Sequence, residues 1–428
     1  MDRLQKKGVF AGQPEEYAHV RHAAMAAFTK HGFPHRKQEE WRNTSLAALQ
    51  ETEYLLPEAG EHFTGKTPFY HWADGTRIVI ANGRVAAGLS NLEGLPRGVR
   101  VESLADALSS QPERTLNYLS KAANYASRPL IALNTALWSA GVFVEISAGV
   151  TFTGPIQIIY LQTSIDQPVL SLPRTLVVAG ENSQVTILEQ HMGQGEATYW
   201  ADSVTEILLD RNASMDYILL QQETPGSFQT HALQAELTGD SSLSLHTVTL
   251  GGGLVRNDTS VRLAGEGAEA YLGGLYLAGS GAHVDNHTKI EHAVPNTSSR
   301  EVYKGILDGH GHGIFNGLVV VQPEAQQINA DQRNNNLMLS DDALVHSNPQ
   351  LEIYADDVKC SHGSTVGRVD DESLFYLRTR GIDEESALRL MINGYAGEVT
   401  SRIGHEGIRE HLDQLAQSWI DGEDTASE

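Results

Sequence analysis

Cysteine is almost absent from this chain, because Cys360 is the only one in 428 residues. A single cysteine excludes a disulfide within the chain. It also excludes a metal or iron–sulfur site with four cysteine ligands from this chain alone. Its one cysteine lies two residues before His362, in the stretch DDVKCSHGSTVG (356–367). This pair is either part of a ligand set or a result of packing.

Long hydrophobic runs are also missing, since no stretch of about 18 apolar residues occurs. The first residues, MDRLQKKGVFAGQPEEY, are partly basic but contain no apolar segment of the kind found in secretory signals. The formal net charge is −23, which disfavours contact with nucleic acid or an anionic membrane. We therefore expect a cytoplasmic protein that binds neither of them.

The first region, residues 1–137, is predicted to be mainly helical. Apolar residues recur at helical spacing within 14–28, and helix-like patterning returns in 102–127. Residues 76–90 differ, because two alternating runs flank Asn82-Gly83. This dipeptide is typical of the turn of a β-hairpin.

The second region, residues 138–380, consists of short alternating runs such as VFVEI and SLSLHTVTL. Small turn clusters separate the runs, and four of them begin 30, 29 and 26 residues apart, at Gly180, Asp210, Gly239 and Gly265. A repeat of this length favours a β-solenoid. A β-sandwich also has short strands and frequent turns, so the pattern by itself leaves both folds open.

The third region, residues 381–428, is predicted to form two amphipathic helices and an acidic tail. Asp383 is the expected cap of the first helix. The apolar positions fall at steps of three and four, which places them on one face of each helix. These faces either pack on each other or on the β region, or they bind a partner protein. The candidate partner-binding residues are Leu388, Met391, Ile392, Tyr395, Val399, Ile408, Leu412, Leu415 and Trp419.

The stretch GEHFTGKT (60–67) matches the phosphate-binding loop pattern of nucleotide-hydrolysing enzymes. Such a loop requires a strand before it and a helix after it. Pro57 is unfavourable in a central strand, and Pro68 removes an N–H where the helix would begin. We therefore interpret the stretch as a surface loop.

Cys360 and His362 lie in LEIYADDVKCSHGSTVG (351–367), which is predicted to be a strand with a break at Asp356-Asp357. Residues two apart on a strand project to the same face, with Cα atoms about 6.6 Å apart. Both side chains are therefore candidate ligands of one metal ion or cluster. Two ligands do not close a site. The competing interpretation is burial, which is common for free cysteine, and Val358 and Val366 share the face.

Two further polar clusters have structural interpretations. DGHGHG (308–313) is a candidate metal motif, although a glycine-rich turn between strands is the favoured assignment. Asn334, Asn335 and Asn336 are predicted to satisfy turn carbonyls of a solenoid. The remaining histidines of the β region show no recognised spacing.

A resemblance to a known family rests on longer motifs. NPQLEIYADDVKCSHGSTVGRVDDESLFYLRTRGI (348–382), FNGLVVV (315–321) and RNNNLML (333–339) resemble the SufB/SufD family of iron–sulfur cluster assembly proteins. PHRKQEEWRNTSLAAL (34–49) is similar to an amino-terminal motif of the SufD branch. SufB-type chains tend to be longer and richer in cysteine, so the SufD branch is favoured.

The resemblance implies a mainly β fold, a right-handed parallel β-helix between helical terminal regions. It implies a non-catalytic scaffold subunit of the SUF complex that pairs with a SufB-like β-helix subunit. A SufC-like ATPase would bind its carboxy-terminal helices. Whether the chain forms a homodimer when the SufB-like partner is absent is left open by the sequence. No cofactor would be bound by the chain alone. A transient iron–sulfur cluster shared with SufB would use His362, with Cys360 as the weaker candidate.

Two other functions remain as alternatives to this scaffold. One is a β-helix enzyme acting on polysaccharide, which the acidic charge and the lack of a basic substrate cluster disfavour. The other is a nucleotide hydrolase using Gly65, Lys66 and Thr67. Saccharide cleavage, or nucleotide binding that is lost on Lys66→Ala, would support the respective alternative.

Overall fold

The computed structural model describes residues 15–56, 75–163, 167–195 and 198–422. Within these ranges the chain forms twenty β-strands and eight α-helices. The strands are β1 Arg77–Ala81, β2 Arg84–Val85, β3 Val99–Ser103, β4 Ala140–Ile146, β5 Thr151–Gln162, β6 Val169–Ser171, β7 Pro173–Ala179, β8 Gln184–Gly193, β9 Tyr199–Leu209, β10 Ser214–Gln222, β11 Phe228–Leu237, β12 Ser242–Thr249, β13 Leu254–Leu263, β14 Glu269–Ala278, β15 His283–His292, β16 Ser298–Leu307, β17 His312–Val321, β18 Ile328–Met338, β19 Leu344–Ile353 and β20 Val358–Gly367.

The helices flank the strands at both ends of the chain. They are α1 Glu15–His31, α2 Ala47–Glu51, α3 Leu104–Ser110, α4 Pro112–Leu116, α5 Pro129–Leu137, α6 Asp371–Thr379, α7 Glu384–Thr400 and α8 Glu406–Ile420. Among the helices of these described ranges, none is long and apolar enough to cross a membrane. The loop pattern at 60–67 lies outside the described residues.

The strands build two sheets that face each other across a common interior. Sheet 1 has the order β2-β1-β5-β8-β10-β12-β14-β16-β18-β20, and sheet 2 has the order β19-β17-β15-β13-β11-β9-β7-β4-β3, with β6 beside β9. From β8 onward all neighbours are parallel. In the pairs that β8 to β20 form with one another, the paired residues are 26 residues apart at the least (Phe228 with Leu254) and 32 at the most (His312 with Leu344). The predicted solenoid is therefore confirmed, and the antiparallel sandwich is excluded.

The turn clusters seen in the sequence form one corner of the solenoid. Asn182, Asn212 and Asp240 occupy equivalent positions in successive turns, and each has a positive φ between 56° and 59°. Asparagine, aspartate and glycine tolerate this left-handed conformation better than other residues do. The Asn212 amide also donates to the Asn182 side-chain oxygen at 2.7 Å. The periodic Asn, Asp and Gly residues thus specify where each turn bends.

The amino-terminal region covers part of sheet 2 and contributes strands to both sheets. Helix α1 packs on α5, where the Trp138 indole donates to the Tyr17 hydroxyl at 2.8 Å. The predicted hairpin is confirmed as β1 and β2, which pair antiparallel on either side of Asn82-Gly83. Strand β1 then pairs with β5, and β3 pairs with β4. These strands extend the two sheets beyond the first turns of the solenoid.

Helices α7 and α8 lie on the outer face of sheet 1. The side chain of Asp383 accepts a hydrogen bond from the Ser386 N–H at 2.9 Å, so the predicted cap is confirmed. Ile392 and Leu412 are fully buried in a cluster with sheet residues such as Leu220 and Leu277. Each helix therefore uses its apolar face to cover the solenoid.

Candidate functional site

The carboxy-terminal end of the solenoid is open. Strands β19 and β20 are the last strands of their sheets, and each lacks a neighbour on its outer edge among the described strands. Their residues are exposed or half-buried, whereas the equivalent strands one turn earlier are largely buried. An exposed strand edge above an unfinished core is a surface on which another chain can pair.

Cys360 ends a column of small and apolar side chains inside the solenoid. It pairs with Ala330, which pairs with Ser299 and, one turn earlier, Ala270. Its side chain is partly buried and packs against the main core cluster. Burial raises the pKa of its thiol, which favours the protonated, less reactive form. Packing is thus a sufficient reason for a cysteine at this position.

His362 lies on the same inner face as Cys360 but is exposed. It pairs with Gln332 of β18, and Gln332 pairs with Glu301 of β16. The Gln332 amide donates to the Glu301 carboxyl oxygen at 2.7 Å, and both side chains are fully buried. One turn before Glu301, the equivalent position on β14 is Leu272. Toward the open end, this column of paired residues therefore changes from apolar to polar and ends at His362.

The Glu301 carboxyl titrates in an unusual range for an acid. Burial raises its pKa to about 7, although the hydrogen bond from Gln332 favours the ionised form. Desolvation disfavours a carboxylate that has no cationic partner. The interior below His362 therefore contains a carboxyl that is protonated up to about neutral pH.

His362 and Cys360 have no third ligand in the described part of the chain. There, the only set of three histidine, cysteine or acidic side chains with ligand atoms within 4.8 Å of one another is Glu189, His191 and His231. A complete ligand shell at His362 would therefore need groups from outside the described residues. The open end is the position from which a second chain can supply them.

A row of histidines crosses the outer face of sheet 2 and was not recognised in the sequence. The rings of His283 and His312 have centroids 4.6 Å apart, and those of His312 and His346 are 5.3 Å apart. Burial, His283 and His346 lower the pKa of His312 to about 4. His283 and His312 are 29 residues apart, which equals one turn of the solenoid. Searching for identical residues at this period would have found the pair.

The two polar clusters of the sequence analysis have different outcomes. The turn assigned to DGHGHG is confirmed, because Asp308–Gly311 joins β16 to β17 and Gly309 has a φ of 56°. The asparagine prediction was wrong, since Asn334 and Asn336 are buried within β18 rather than in a turn. Asn334 donates to the Tyr303 carbonyl oxygen at 3.2 Å, and Asn336 donates to Asn334 at 2.7 Å.

The nine candidate partner-binding residues divide into two groups. The first group is fully buried against the solenoid and is covered by the chain itself: Ile392, Val399, Ile408, Leu412 and Leu415. The second group is half-buried and consists of Leu388, Met391, Tyr395 and Trp419, of which Leu388, Tyr395 and Trp419 pack against the same cluster. The amphipathic pattern is therefore explained by packing inside the chain, because sheet 1 presents an apolar outer face.

Exposed apolar side chains are instead concentrated near the open end. Seven of the nine large hydrophobic side chains that are exposed in the described residues lie between 344 and 390. They are Leu344, Ile353, Tyr354, Val366, Phe375, Tyr376 and Leu390. Helix α6 has no buried residue at all. Such a concentration marks an interaction surface.

A groove of about 940 Å³ joins this end to the outer face of sheet 2. Its lining includes Glu39 and Arg42 of the amino-terminal region, His287 and His346 of sheet 2, and Val366 of β20. The groove is polar and carries charges of both signs. The surface around the open end thus extends to the amino-terminal region.

Comparisons with known proteins agree with this architecture. A family model for the SUF system FeS cluster assembly SufBD core domain matches residues 160–395, and a model for the SufBD protein N-terminal region matches residues 4–158. An iron–sulfur cluster assembly SufBD family protein of Synechocystis is 30% identical over 396 residues, 89% of this chain and 86% of the relative. The iron–sulfur cluster assembly protein SufD of Escherichia coli is 28% identical over 395 residues, 89% and 88% of the two chains. The chloroplastic protein ABCI7 of Arabidopsis thaliana is 28% identical over 408 residues, 91% and 83%.

Proposed function

The chain belongs to the SufBD family of the SUF system for iron–sulfur cluster assembly, and from this premise we propose that it is a non-catalytic scaffold subunit. In this function it pairs with a SufB-like β-helix subunit, binds a SufC-like ATPase and holds one side of a nascent cluster. ATP hydrolysis belongs to the ATPase subunit. The observation that carries the proposal is the open end of the solenoid with His362 on its inner face.

Pairing through the open end is supported by the unpaired strands and by exposed apolar groups. Val366 of β20 is 56% exposed and Leu344 of β19 is 50% exposed, although each is paired with a residue of the preceding turn. A second β-helix placed end to end would continue both sheets and cover these side chains. A SufB-like subunit is the proposed occupant, and a second copy of this chain takes its place when that subunit is absent.

His362 is proposed as the ligand that this chain gives to the nascent cluster. It is exposed, it lies at the proposed interface, and the residues that the structure describes hold no complete ligand set around it. Thiolate and imidazole are both suitable ligands for iron in sulfur-bridged clusters. Cys360 is proposed as a packed neighbour, since its thiol faces the core and burial raises its pKa.

The ATPase is proposed to bind the carboxy-terminal helices on their outward side. Phe375 and Tyr376 of α6 are 68% and 57% exposed, and Leu390 of α7 is exposed as well. The buried faces of α7 and α8 have a different task, which is to fix these helices rigidly to sheet 1. A closing movement of bound ATPase subunits would then be transmitted to the solenoid through Ile392 and Leu412.

The experiment is co-purification with both partners, using point variants of the full chain. Truncation before α7 is unsuitable, because it would uncover the apolar outer face of sheet 1. We expect Val366→Arg to lose the SufB-like subunit and keep the ATPase. We expect the double variant Phe375→Ala with Tyr376→Ala to lose the ATPase and keep the SufB-like subunit. Mass spectrometry identifies the recovered proteins. Recovery of neither partner by the unaltered chain would contradict the proposed function.

A further inference from the structure

Three potential metal ligands converge in the interior of the solenoid, far from the open end. Glu189 and His191 project from β8 of sheet 1, and His231 projects from β11 of sheet 2. All three are fully buried. Glu189 Oε1 lies 2.8 Å from His191 Nε2 and 3.6 Å from His231 Nε2. Three ligand atoms therefore meet across the space between the two sheets.

The surrounding side chains orient this set. The Thr205 hydroxyl lies 2.9 Å from Glu189 Oε2 and 3.2 Å from His231 Nε2, and the Tyr217 hydroxyl donates to Glu189 Oε2. The Tyr160 ring stacks on the His191 ring with centroids 5.0 Å apart. His231 Nδ1 is buried and has no hydrogen-bond partner. Both imidazoles thus present Nε2 to Glu189.

Glu189 differs from the other buried carboxylates in its partners. Glu206 pairs with Arg174 at 2.5 Å, and Asp285 pairs with Arg256 at 2.6 Å. Glu189 has no arginine or lysine within 4 Å in the described residues, and its only basic neighbours are the two imidazoles. Burying a carboxylate among neutral groups is costly unless a cation is close.

Other buried acids without a cationic partner avoid the cost of burying a charge in a different way. Burial raises the pKa of Glu223 and of Glu301 to about 7, so these groups avoid the cost by keeping a proton. Glu189 instead lies within hydrogen-bond distance of His191, Thr205 and Tyr217.

We propose that Glu189, His191 and His231 form a binding site for a divalent transition metal. The ligand atoms are one carboxylate oxygen and Nε2 of each histidine. Bonds of about 2.1 Å from one ion place its ligand atoms about 3 to 3.5 Å apart, which is close to the 2.8 and 3.6 Å separations of the set. On binding, Nε2 of each neutral imidazole donates its lone pair to the ion, and the single ring proton lies on Nδ1.

The ligand chemistry selects the class of ion. Two imidazoles and one carboxylate suit Zn²⁺, Fe²⁺ and Co²⁺, whereas Mg²⁺ and Ca²⁺ prefer oxygen ligands only. Because the ligands come from both sheets, a bound ion would link them across the interior and stabilise the folded chain. The site is separate from the proposed interface at His362 and does not depend on the proposed function.

Cobalt is the probe, since Co²⁺ bound by imidazole and carboxylate absorbs visible light. The full-length chain with His362→Ala, which removes the exposed ligand, is produced in cobalt-supplemented medium, washed with EDTA and analysed by elemental mass spectrometry. We expect about one cobalt per chain, visible absorption bands and a higher Tm than the metal-free protein. Because the site is fully buried, bound metal should survive the wash.

The matched pair of substitutions is His231→Gln and His292→Gln. His292 is equally buried in the interior but bonds only to Thr297 and Ser299, at 2.8 and 2.9 Å. We expect the first substitution to abolish bound cobalt and its Tm increment, and the second to retain both. Less than a tenth of an equivalent in the unaltered site would overturn the proposal. So would equal cobalt content in the His231→Gln protein, and neither result would affect the proposed scaffold function.

Discussion

His362 lies opposite Gln332 on the neighbouring strand, and the far edge of its own strand has no partner among the described strands. The histidine thus completes an interior column of the solenoid while remaining exposed. Inner-face positions in earlier turns are closed by the next turn. At His362 no described strand supplies the next turn, so the side chain faces both the interior and the surface at which a partner is proposed to pair.

The first prediction concerns this histidine. We expect His362→Ala to leave the fold and the assembly with SufB-like and SufC-like partners intact, because the side chain is exposed and bears no packing. Formation of an iron–sulfur cluster on the purified complex should fall several-fold, since one proposed ligand is lost. The measurement is anaerobic reconstitution followed by visible absorption of the cluster.

The control for this prediction is His346→Ala, which removes an exposed histidine of the adjacent strand β19. It should form clusters at the unaltered rate. If His362→Ala instead prevents the complex from assembling, the residue is structural at the interface and the ligand role loses its support.

The second prediction tests the open end as a pairing surface. Val366 and Val85 are exposed valines, 56% and 43%, on the two terminal strands of sheet 1, β20 and β2. We expect Val366→Arg to weaken association with a second β-helix at least tenfold, because an arginine there would be buried without a partner. Val85→Arg should have no effect. Sedimentation of the full chain with and without the SufB-like subunit measures both, and equal behaviour of the two variants would contradict the proposed interface.

The third prediction separates packing from partner binding in the carboxy-terminal helices. Leu412 is fully buried against sheet 1, whereas Leu390 is 53% exposed. We expect Leu412→Ala to lower the free energy of unfolding by about 2–5 kcal/mol. Leu390→Ala should change it by less than about 0.5 kcal/mol. Denaturant titration measures both, and similar losses would mean that α7 and α8 are not packed as described.

The repeat length favoured a solenoid but left a β-sandwich open, and the resemblance to the SufB/SufD family predicted the fold that the structure has. The Asn182 and Asn212 corners are visible in a sequence because backbone geometry requires particular residues there. The convergence of Glu189 with His231 is not visible, since the two residues lie 42 positions apart and on different sheets. Period two assigns Glu189 and His191 to one face, but it does not reveal which residue of the opposite sheet they meet.

The helical faces show a different limit of sequence reasoning. Their apolar spacing predicts a buried face but not what covers it, because a partner and the chain's own sheet require the same pattern. The apolar residues on the outer face of sheet 1, such as Leu220 and Leu277, are what the helices cover, and the sequence does not identify them as outward-facing. They alternate with inner residues that are also apolar, so the two faces cannot be told apart by hydrophobicity.

The last prediction uses the buried Glu301 carboxyl, whose pKa is raised to about 7 in the folded chain. Below about pH 4.5 the group is protonated in both the folded and the unfolded chain, so it has no effect on the pH dependence of stability. Between about 4.5 and 7 only the unfolded chain loses the proton. The free energy of unfolding should therefore fall across this window, by roughly 3 kcal/mol from this group, and stay level above it.

Glu301→Gln removes the ionisation and keeps the shape of the side chain, so it should flatten part of that fall and raise the Tm at pH 8. Glu352→Gln changes an exposed glutamate of β19 and is the matched control, for which we expect the unaltered pH profile. Thermal melts from pH 4.5 to 8 compare the three proteins. Because Glu223 also has a pKa raised to about 7 by burial, its contribution should remain in the Glu301→Gln profile and disappear in the double variant. A Tm at pH 8 that is lower in Glu301→Gln than in the unaltered chain would show that the carboxyl is ionised in the fold and stabilised by its neighbours.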